Sequence, residues 1–489
     1  MSARQTAPLA ALAIVLALPG CINMAPDHVT PDLPVPANYD DSVRPDGTVV
    51  ATSLSYREWF ADPRLDALIG TALQNNRDLV AATARIEQAR AQYRIQDSRR
   101  LPAVVASASA NRSRTPLTGF AANASGDIDA ITIDNYQLGV GVSAFELDFW
   151  GRLANLSDAA RAQYLASISA QRAFYLSLIA DVATTYYELL ETEAQVELAE
   201  ATVSSRSDSL IIARRRLDIG VTSALPMRQA ETLLTAAQQQ LASERLAEAR
   251  LRNQLMVLIG GRMPDDLPAG VPLDQQGNGM RLDPGLPSSL LLARPDIAAA
   301  EANLRAARAN IGAARAAFFP TISLTGSVGL ASDSLGSLFN ESGFAWSFGP
   351  GISLPIFDWG AREADLDYAQ ALEVEEIANY DKAVQTAFRE VSDSLAGRRW
   401  LAEQVAVLER TVAAQEEIDR ISTLRYREGV TDYLEVLDAE RNLFSAQQDL
   451  LATRRALLQN GATLYVALGG GFEADGGEIE GAGGMPVGE

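Results

Sequence analysis

One cysteine, Cys21, and one histidine, His28, stand in a chain of 489 residues that carries 62 aspartates and glutamates. That inventory closes off most side-chain chemistry. A zinc site draws chiefly on several histidines or cysteines, and a nucleophilic triad or dyad needs a histidine beside its serine or cysteine. Catalysis would rest on carboxylates alone, and the sequence sets no pair of them apart. The formal charge of −21 speaks against a nucleic-acid partner and for an aqueous space or an acidic lining. The chain therefore reads as a non-enzyme with no cofactor and no metal.

Cys21 has a chemistry of its own. Arg4 precedes a mostly apolar run from Ala7 to Leu18, and Pro19-Gly20-Cys21 follows. That run is too short to cross a hydrocarbon core, which takes about 20 residues, so residues 1–20 read as a cleaved signal. Leu18 to Cys21 resembles the lipobox of bacterial lipoproteins, with Pro19 an uncommon member of it. The resemblance predicts cleavage before Cys21 and its acylation, palmitate included. Ile22, where an aspartate would divert sorting in Gram-negative lipoproteins, implies the outer membrane. Several acyl chains anchor firmly, because each buried CH₂ contributes about 0.8 kcal/mol. The stretch after Cys21 holds Pro26, Pro31, Pro34 and Pro36 and reads as an extended tether. We assign 21–60 to this tether and the start of an equatorial region. At the far end, 471–489 is Gly-rich and acidic, the composition of a disordered tail.

The elements between these ends form an internal repeat. Trp150-Gly151 returns as Trp359-Gly360, Gly220-Val221-Thr222 as Gly429-Val430-Thr431, and Gly260-Gly261 as Gly469-Gly470, all at an offset of 209. Upstream the offset is 218: Asp78-Leu79 matches Asp296-Ile297, and Arg100-Leu101-Pro102 matches Phe318-Phe319-Pro320. Near Gly139 and Gly141, which match Gly349 and Gly351, it is 210, so one residue is lost just before Trp359. Length matching over so long a span suggests two rods that must reach the same height. We place the first repeat at 61–261, a linker at 262–288 and the second repeat at 289–470.

Each repeat begins with a helix and a strand pair. Ile322, Leu324, Val328 and Leu330 alternate with small or polar residues, as do Phe344, Trp346, Phe348, Ile352 and Leu354, and as do Tyr136, Leu138, Val140 and Val142. The strand near Val104 to Ser113 is mostly Ala and Ser. An apolar face backed by a small, polar one suits either a half-buried sheet or a transmembrane barrel facing lipid outward and water inward. Four strands do not close such a barrel, and open edges are not tolerated in hydrocarbon. A barrel reading therefore demands further copies of the chain.

The rest is helical. Arg152 to Ile219 contains no Pro or Gly, enough for roughly 100 Å of helix. Its counterpart, Ala361 to Glu428, is interrupted only by Gly397. Return helices run from about Leu225 to Ile259 and Tyr433 to Leu468. Gly220 and Gly429 end helices in a left-handed conformation, and a Thr or Asp shortly after can cap the next. Each chain should thus have two tight tips at one end. A lipid-anchored structural or adhesive coiled-coil protein without a pore is the alternative reading, but it leaves the strand pairs unexplained.

Several motifs are specific in combination: Cys21 followed by Ala25-Pro26-Asp27 and Pro31; Phe149-Trp150-Gly151 and Asp358-Trp359-Gly360; and Leu424-Arg425-Tyr426-Arg427-Glu428-Gly429-Val430 leading into Tyr433-Leu434-Glu435-Val436-Leu437-Asp438-Ala439. With these the chain resembles the TolC-like outer-membrane factors, in the lipoprotein branch of OprM- and NodT-type efflux channels. The resemblance implies a mixed α/β membrane protein: a homotrimer with a twelve-stranded β-barrel in the outer membrane, four strands per chain, continued by a long α-helical barrel in the periplasm. It implies an exit duct joined through a periplasmic adaptor to an inner-membrane transporter of the proton-driven RND type, passing small compounds without chemistry. Ile219-Gly220-Val221 and Glu428-Gly429-Val430 resemble the turns that meet the adaptor, with valine for the usual leucine. Tyr426 matches a tyrosine of the closed-state network, and Glu435 and Asp438 match two carboxylates at the constriction. Thr431 and Pro226 stand where some relatives carry an arginine and an aspartate, so the family's latch does not transfer whole.

Overall fold

The computed structural model of the chain describes residues 23–31, 34–36, 55–116, 130–277 and 294–470. The expected signal peptide, Cys21, the later part of the linker and the tail lie outside them. In chain order the elements are α1 (Tyr56–Trp59), α2 (Pro63–Asn75), α3 (Arg77–Ser98), β1 (Val104–Pro116), β2 (Ala130–Leu147), α4 (Arg152–Asp218), α5 (Ala224–Leu258), α6 (Pro295–Ala316), β3 (Thr321–Ser332), β4 (Phe344–Ser353), α7 (Ala361–Arg427) and α8 (Tyr433–Ala467). Corresponding helices are equal in length: α3 and α6 have 22 residues, α4 and α7 have 67, α5 and α8 have 35.

Two compact units divide the chain. The first gathers residues 23–31, 87–116, 130–167 and 300–379 of those described. Its sheet is antiparallel in the order β1-β2-β3-β4. Register aligns Leu138, Leu330 and Phe344 in one row and Val140, Val328 and Trp346 in the next. Between these rows lies Gly139, Gly329, Ala345 and beyond them Gly141, Ser327, Ser347, with side chains directed to the opposite face. One face is therefore apolar and aromatic, the other small and polar, and Trp346, Phe348 and Ile352 are exposed.

β2 begins earlier than the alternation from Tyr136 suggests. Ile131 and Ile133 sit in unbroken register with β1 but on the odd-numbered face, so the apolar phase inverts toward the β1–β2 connection. At the other end, Ser143 and Ala144 together oppose Thr325, between the pairs Val142–Gly326 and Phe145–Leu324. This β-bulge, with Ala144 at φ 52° and its N–H donating to the Thr325 hydroxyl at 3.2 Å, holds one extra residue. It is the one-residue slip of the repeat made physical.

Past the sheet, Trp150 stacks on Phe319 at 4.8 Å and its indole N–H donates to the Pro320 carbonyl at 2.9 Å. Ala159 and Ala162 of α4 then pack against Ala306 and Ala309 of α6. Residues 24–30 run along α6 as a strap. Arg315 donates to the Met24 carbonyl (3.1 Å), Arg308 to the Val29 carbonyl (2.7 Å), and Thr30 to Glu301 (3.1 Å). His28 lies among Glu301, Arg305 and Arg308. A Cβ on Gly312 would come within 2.7 Å of the Ala25 nitrogen, so glycine is what admits the strap.

The second unit holds residues 34–36, 55–86, 168–277, 294–299 and 380–470 of those described. Its core centres on Tyr186, Tyr380 and Tyr465 with Leu65, Leu68 and Ile69 of α2, all essentially buried. Asp62 caps α2 by accepting from the Arg64 N–H at 2.8 Å. Its other oxygen accepts from the Tyr186 hydroxyl (2.8 Å), the Val271 N–H (3.1 Å) and the Gln276 amide (2.5 Å), so one buried carboxylate ties together three segments. The repeats close alike with different chemistry. Asn76 donates to the Leu258 carbonyl at the end of α5, and its counterpart Arg294 donates to the Ala467 carbonyl at the end of α8. Gly397 faces the Asn460 side chain, which donates to the Ser394 carbonyl at 2.8 Å; a Cβ there would collide with that amide.

Candidate functional site

The turn α4–α5 and the turn α7–α8 share one backbone geometry. Gly220 and Gly429 have φ of 75° and 77°. The Gly220 N–H donates to Leu217 and the Val221 N–H to Arg216; likewise Gly429 to Tyr426 and Val430 to Arg425. These two bonds per turn define a Schellman end and satisfy carbonyls the helix leaves orphaned. Ser223 and Asp432 cap the outgoing helices, accepting from the Leu225 and Leu434 N–H groups at 3.4 and 3.0 Å. At the first turn the cap is thus Ser223, not the neighbouring Thr222. Pro226 lies in the first turn of α5, where its missing N–H costs no helical bond. Ile219, Val221 and Val430 are 73%, 61% and 69% exposed, an apolar set presented by both turns.

Behind the turns the two hairpins join. Tyr426 is buried with Leu210, Ala213, Ala230, Tyr433 and Val436. Arg216 of α4 donates to the Tyr426 carbonyl at 3.1 Å and lies 4.7 Å over its ring, binding the first hairpin to the second. The Tyr426 and Tyr433 rings are 5.2 Å apart, and burial pushes the Tyr433 hydroxyl up to about 12. Glu435 receives Arg425 at 3.0 Å and the Thr431 hydroxyl. Asp438 receives Arg441 at 3.0 Å. Glu435 and Asp438 are therefore each paired within the protomer.

One turn further, a cavity of about 390 Å³ is lined by Ser209, Asp419, Tyr426, Tyr433 and Glu440 among others. Burial raises the Glu440 carboxyl above its ordinary range, with Asp419 adding to the rise and Ser209 and Arg206 opposing it. Asp419 is raised by burial too. Arg206 is lowered by burial; it donates to the Leu233 carbonyl at 3.1 Å and sits 5.6 Å over the Phe444 ring. Arg216, Arg206, Ser209 and Glu440 were not singled out by sequence. Charges within a helix read as solvated, and only the inter-repeat pairing shows which ones face inward. In this arrangement the Ser209 hydroxyl donates to the Glu440 carboxyl at 3.2 Å. What it offers is a set of hydrogen bonds and ion pairs that hold helix ends together and can be broken.

A strand sheet with an apolar face, joined to repeated long helical hairpins, defines a channel-type outer-membrane protein rather than a coiled-coil stalk. The chain belongs to the outer membrane efflux protein family, which matches it over residues 68–261 and 286–470. It is 43% identical to the solvent efflux pump outer membrane protein SrpC of Pseudomonas putida over 463 residues, 94% of this chain and 97% of that protein. It is 39% identical to the cation efflux system protein CusC of Escherichia coli, over 94% of this chain and 98% of that protein. A crystal structure of the open state of the Neisseria gonorrhoeae outer membrane channel MtrE superposes with a TM-score of 0.81 at 38% identity, covering 92% of this chain and 99% of that one. The protein is accordingly an outer-membrane efflux component of a Gram-negative cell, and the pore-free alternative finds no support among these relatives.

Proposed function

We propose that three copies of the chain form one passive exit duct, each contributing its four strands to a twelve-stranded barrel continued by the helical hairpins. The observation that carries this reading is the sheet. It has an apolar face and a small polar face, and among the described residues its outer strands β1 and β4 each have one unpaired edge. Hydrocarbon does not tolerate such edges, and further copies supply the pairing. Cys21 carries the lipid anchor in this reading. The strap supports it, because Met24, three residues on, is held by Arg315 close to the start of β3. The paired repeats 61–261 and 289–470 supply the matched hairpins.

The exposed Ile219, Gly220, Val221, Glu428, Gly429 and Val430 of the two helical turns receive a periplasmic adaptor, which links the duct to an inner-membrane transporter of the RND type. Tyr426, Glu435 and Asp438 belong to the gate. Relatives of nearly equal identity bear the names of solvent and cation efflux systems, so selection of cargo belongs to the pump, and the duct performs no reaction. The purified trimer in a planar bilayer should give discrete conductance steps with cation preference, which rings of carboxylate favour. Freeing Glu435 by Arg425→Ala should increase that preference, and removing Glu435 and Asp438 together should reduce it. Absence of conductance from a protein recovered in outer membranes would overturn the duct; an unchanged preference in both variants would remove the two carboxylates from the pore.

A further inference from the structure

Around the cavity behind the turns, three buried oxygens have no hydrogen-bond partner among the described residues. They are Asp419 Oδ1 of α7, Glu440 Oε2 of α8 and the Tyr433 hydroxyl of α8. Tyr433 is only 3% exposed. A polar atom shut off from water and left unpaired is costly, and native proteins seldom leave several side by side. The Ser209 hydroxyl is already committed, since it donates to the other oxygen of Glu440 at 3.2 Å.

Neighbouring charges do not answer these oxygens. Arg420 donates to both oxygens of Glu417, at 2.8 and 2.7 Å. Arg206 donates to the Leu233 carbonyl and lies over the Phe444 ring. Arg427 is an exposed side chain on the wall, and the exposed Asp208 adds a third carboxylate there. Among the described residues no ion pair reaches Asp419 or Glu440.

The cavity has an acidic end and an aromatic end. Asp419 and Tyr426 are seven residues apart on α7, as are Tyr433 and Glu440 on α8, which is roughly 10 Å along each helix. The two tyrosine rings meet at 5.2 Å, and Val436 stands between them and Glu440. At the other end, burial and then the nearby Asp419 raise the Glu440 carboxyl, so the two acids are neighbours. Burial and then the Glu440 charge raise the Tyr433 hydroxyl, which therefore points back toward the acids. The volume of about 390 Å³ lies in the range of small-molecule sites.

We propose, resting on the gate reading of these helix ends, that the cavity binds an organic primary ammonium with an apolar body. Its three N–H groups donate to Asp419, Glu440 and the Tyr433 hydroxyl, and its body lies along Val436 and the tyrosine rings. A quaternary ammonium offers no such donor. A metal ion finds no group of three His, Cys, Asp or Glu side chains among the described residues. Bound there, the ammonium joins Asp419 of α7 to Glu440 of α8, which Ser209 ties to α4, so it holds the two hairpins together and disfavours opening. Burial raises both acids, so the ammonium displaces a proton into solvent as it enters, and binding tightens from pH 5 to pH 8.

The test is titration calorimetry of the purified full-length protein with n-hexylammonium chloride, which should show one saturable site per chain at pH 8. Hexyltrimethylammonium and 1-hexanol should bind at least about tenfold more weakly, the loss expected when charge-assisted hydrogen bonds are removed. Magnesium chloride should not compete. The variant carrying both Asp419→Asn and Glu440→Gln should lose a similar factor. Tyr433→Phe keeps the ring and guards against misfolding; it should weaken binding severalfold. Glu416→Gln, at an exposed acid of α7, should leave binding unchanged. Absence of saturable binding, equal binding of hexyltrimethylammonium, or unchanged binding in the double variant would overturn the site and leave the gate reading standing. In planar bilayers hexylammonium should lower the open fraction of the parent and not of the double variant. Binding without that change would overturn the restraint on opening. A protein that gives no conductance at all would remove the gate reading, with calorimetry still deciding the site.

Discussion

Glu440 sits inside the helix ends where a carboxylate is costly, and that cost has a sign that can be measured. Burial holds its folded value above the ordinary 4.5. Between those two values the folded state binds more protons than the unfolded one, so stability falls as pH rises through the window. Asp419, raised by the same cause, acts in the same direction. The tip should therefore be better protected near pH 5 than near pH 8, the reverse of what a salt-bridged carboxylate produces. Glu440→Gln should abolish most of the difference. Amide exchange over residues 205–213 and 433–443 at the two pH values, corrected for intrinsic rates, reads it; equal protection in the parent would refute the buried-acid account. Arg216 gives a second handle at the same place. Its truncation removes a charge-assisted hydrogen bond and a ring contact, together about 2 kcal/mol. Arg216→Ala should separate the hairpin ends and raise the open fraction in single-channel records, while Arg215→Ala, at its exposed neighbour, should not.

At the scale of elements, glycine has two separate duties, and substitution distinguishes them. Gly220 and Gly429 need positive φ but have open space where a Cβ would stand. Alanine there costs only the left-handed conformation, about 1–2 kcal/mol. Gly260 needs positive φ as well, and a Cβ would run into the Asn75 carbonyl. Gly260→Ala should therefore lower the melting temperature more than Gly429→Ala; the opposite order would mean that the turn, not the packing, sets the penalty. Much of this level was legible beforehand. Helix breakers at matched positions gave both turns, the return helices and the alternating strands, because glycine and period-two apolarity act locally. Other features were not legible. The inverted phase at Ile131 and Ile133 hid the start of β2, and the bulge at Ser143–Ala144 showed only as a slip in the repeat. Arg216 and Tyr426 are far apart in sequence, and no local pattern links an arginine to a backbone carbonyl on another helix. Asp62 looked like one acid among many until three segments converged on it.

For the molecule as a whole, the equality of α4 with α7 and of α5 with α8 is a constraint on function rather than on stability. A helix can lose two turns and still fold, since most helical stability comes from its packed face. Removing seven residues keeps that face aligned to within about 20° and shortens a helix by roughly 10 Å. Deleting one heptad from α4 and one from α5 at the same level should leave a folded protein whose Gly220 turn no longer stands level with Gly429. Arg216 would then lose its contact with Tyr426, and the apolar turns would no longer form the one continuous surface we propose for an adaptor. Insertion into the outer membrane should persist, because the strands are untouched, while efflux measured by drug or dye accumulation should fail. Deleting the matching heptads from α7 and α8 as well should level the turns again and restore part of the transport, limited by the shorter reach. Restoration by the second pair of deletions is the decisive result, since a simple loss of stability would be worsened by it.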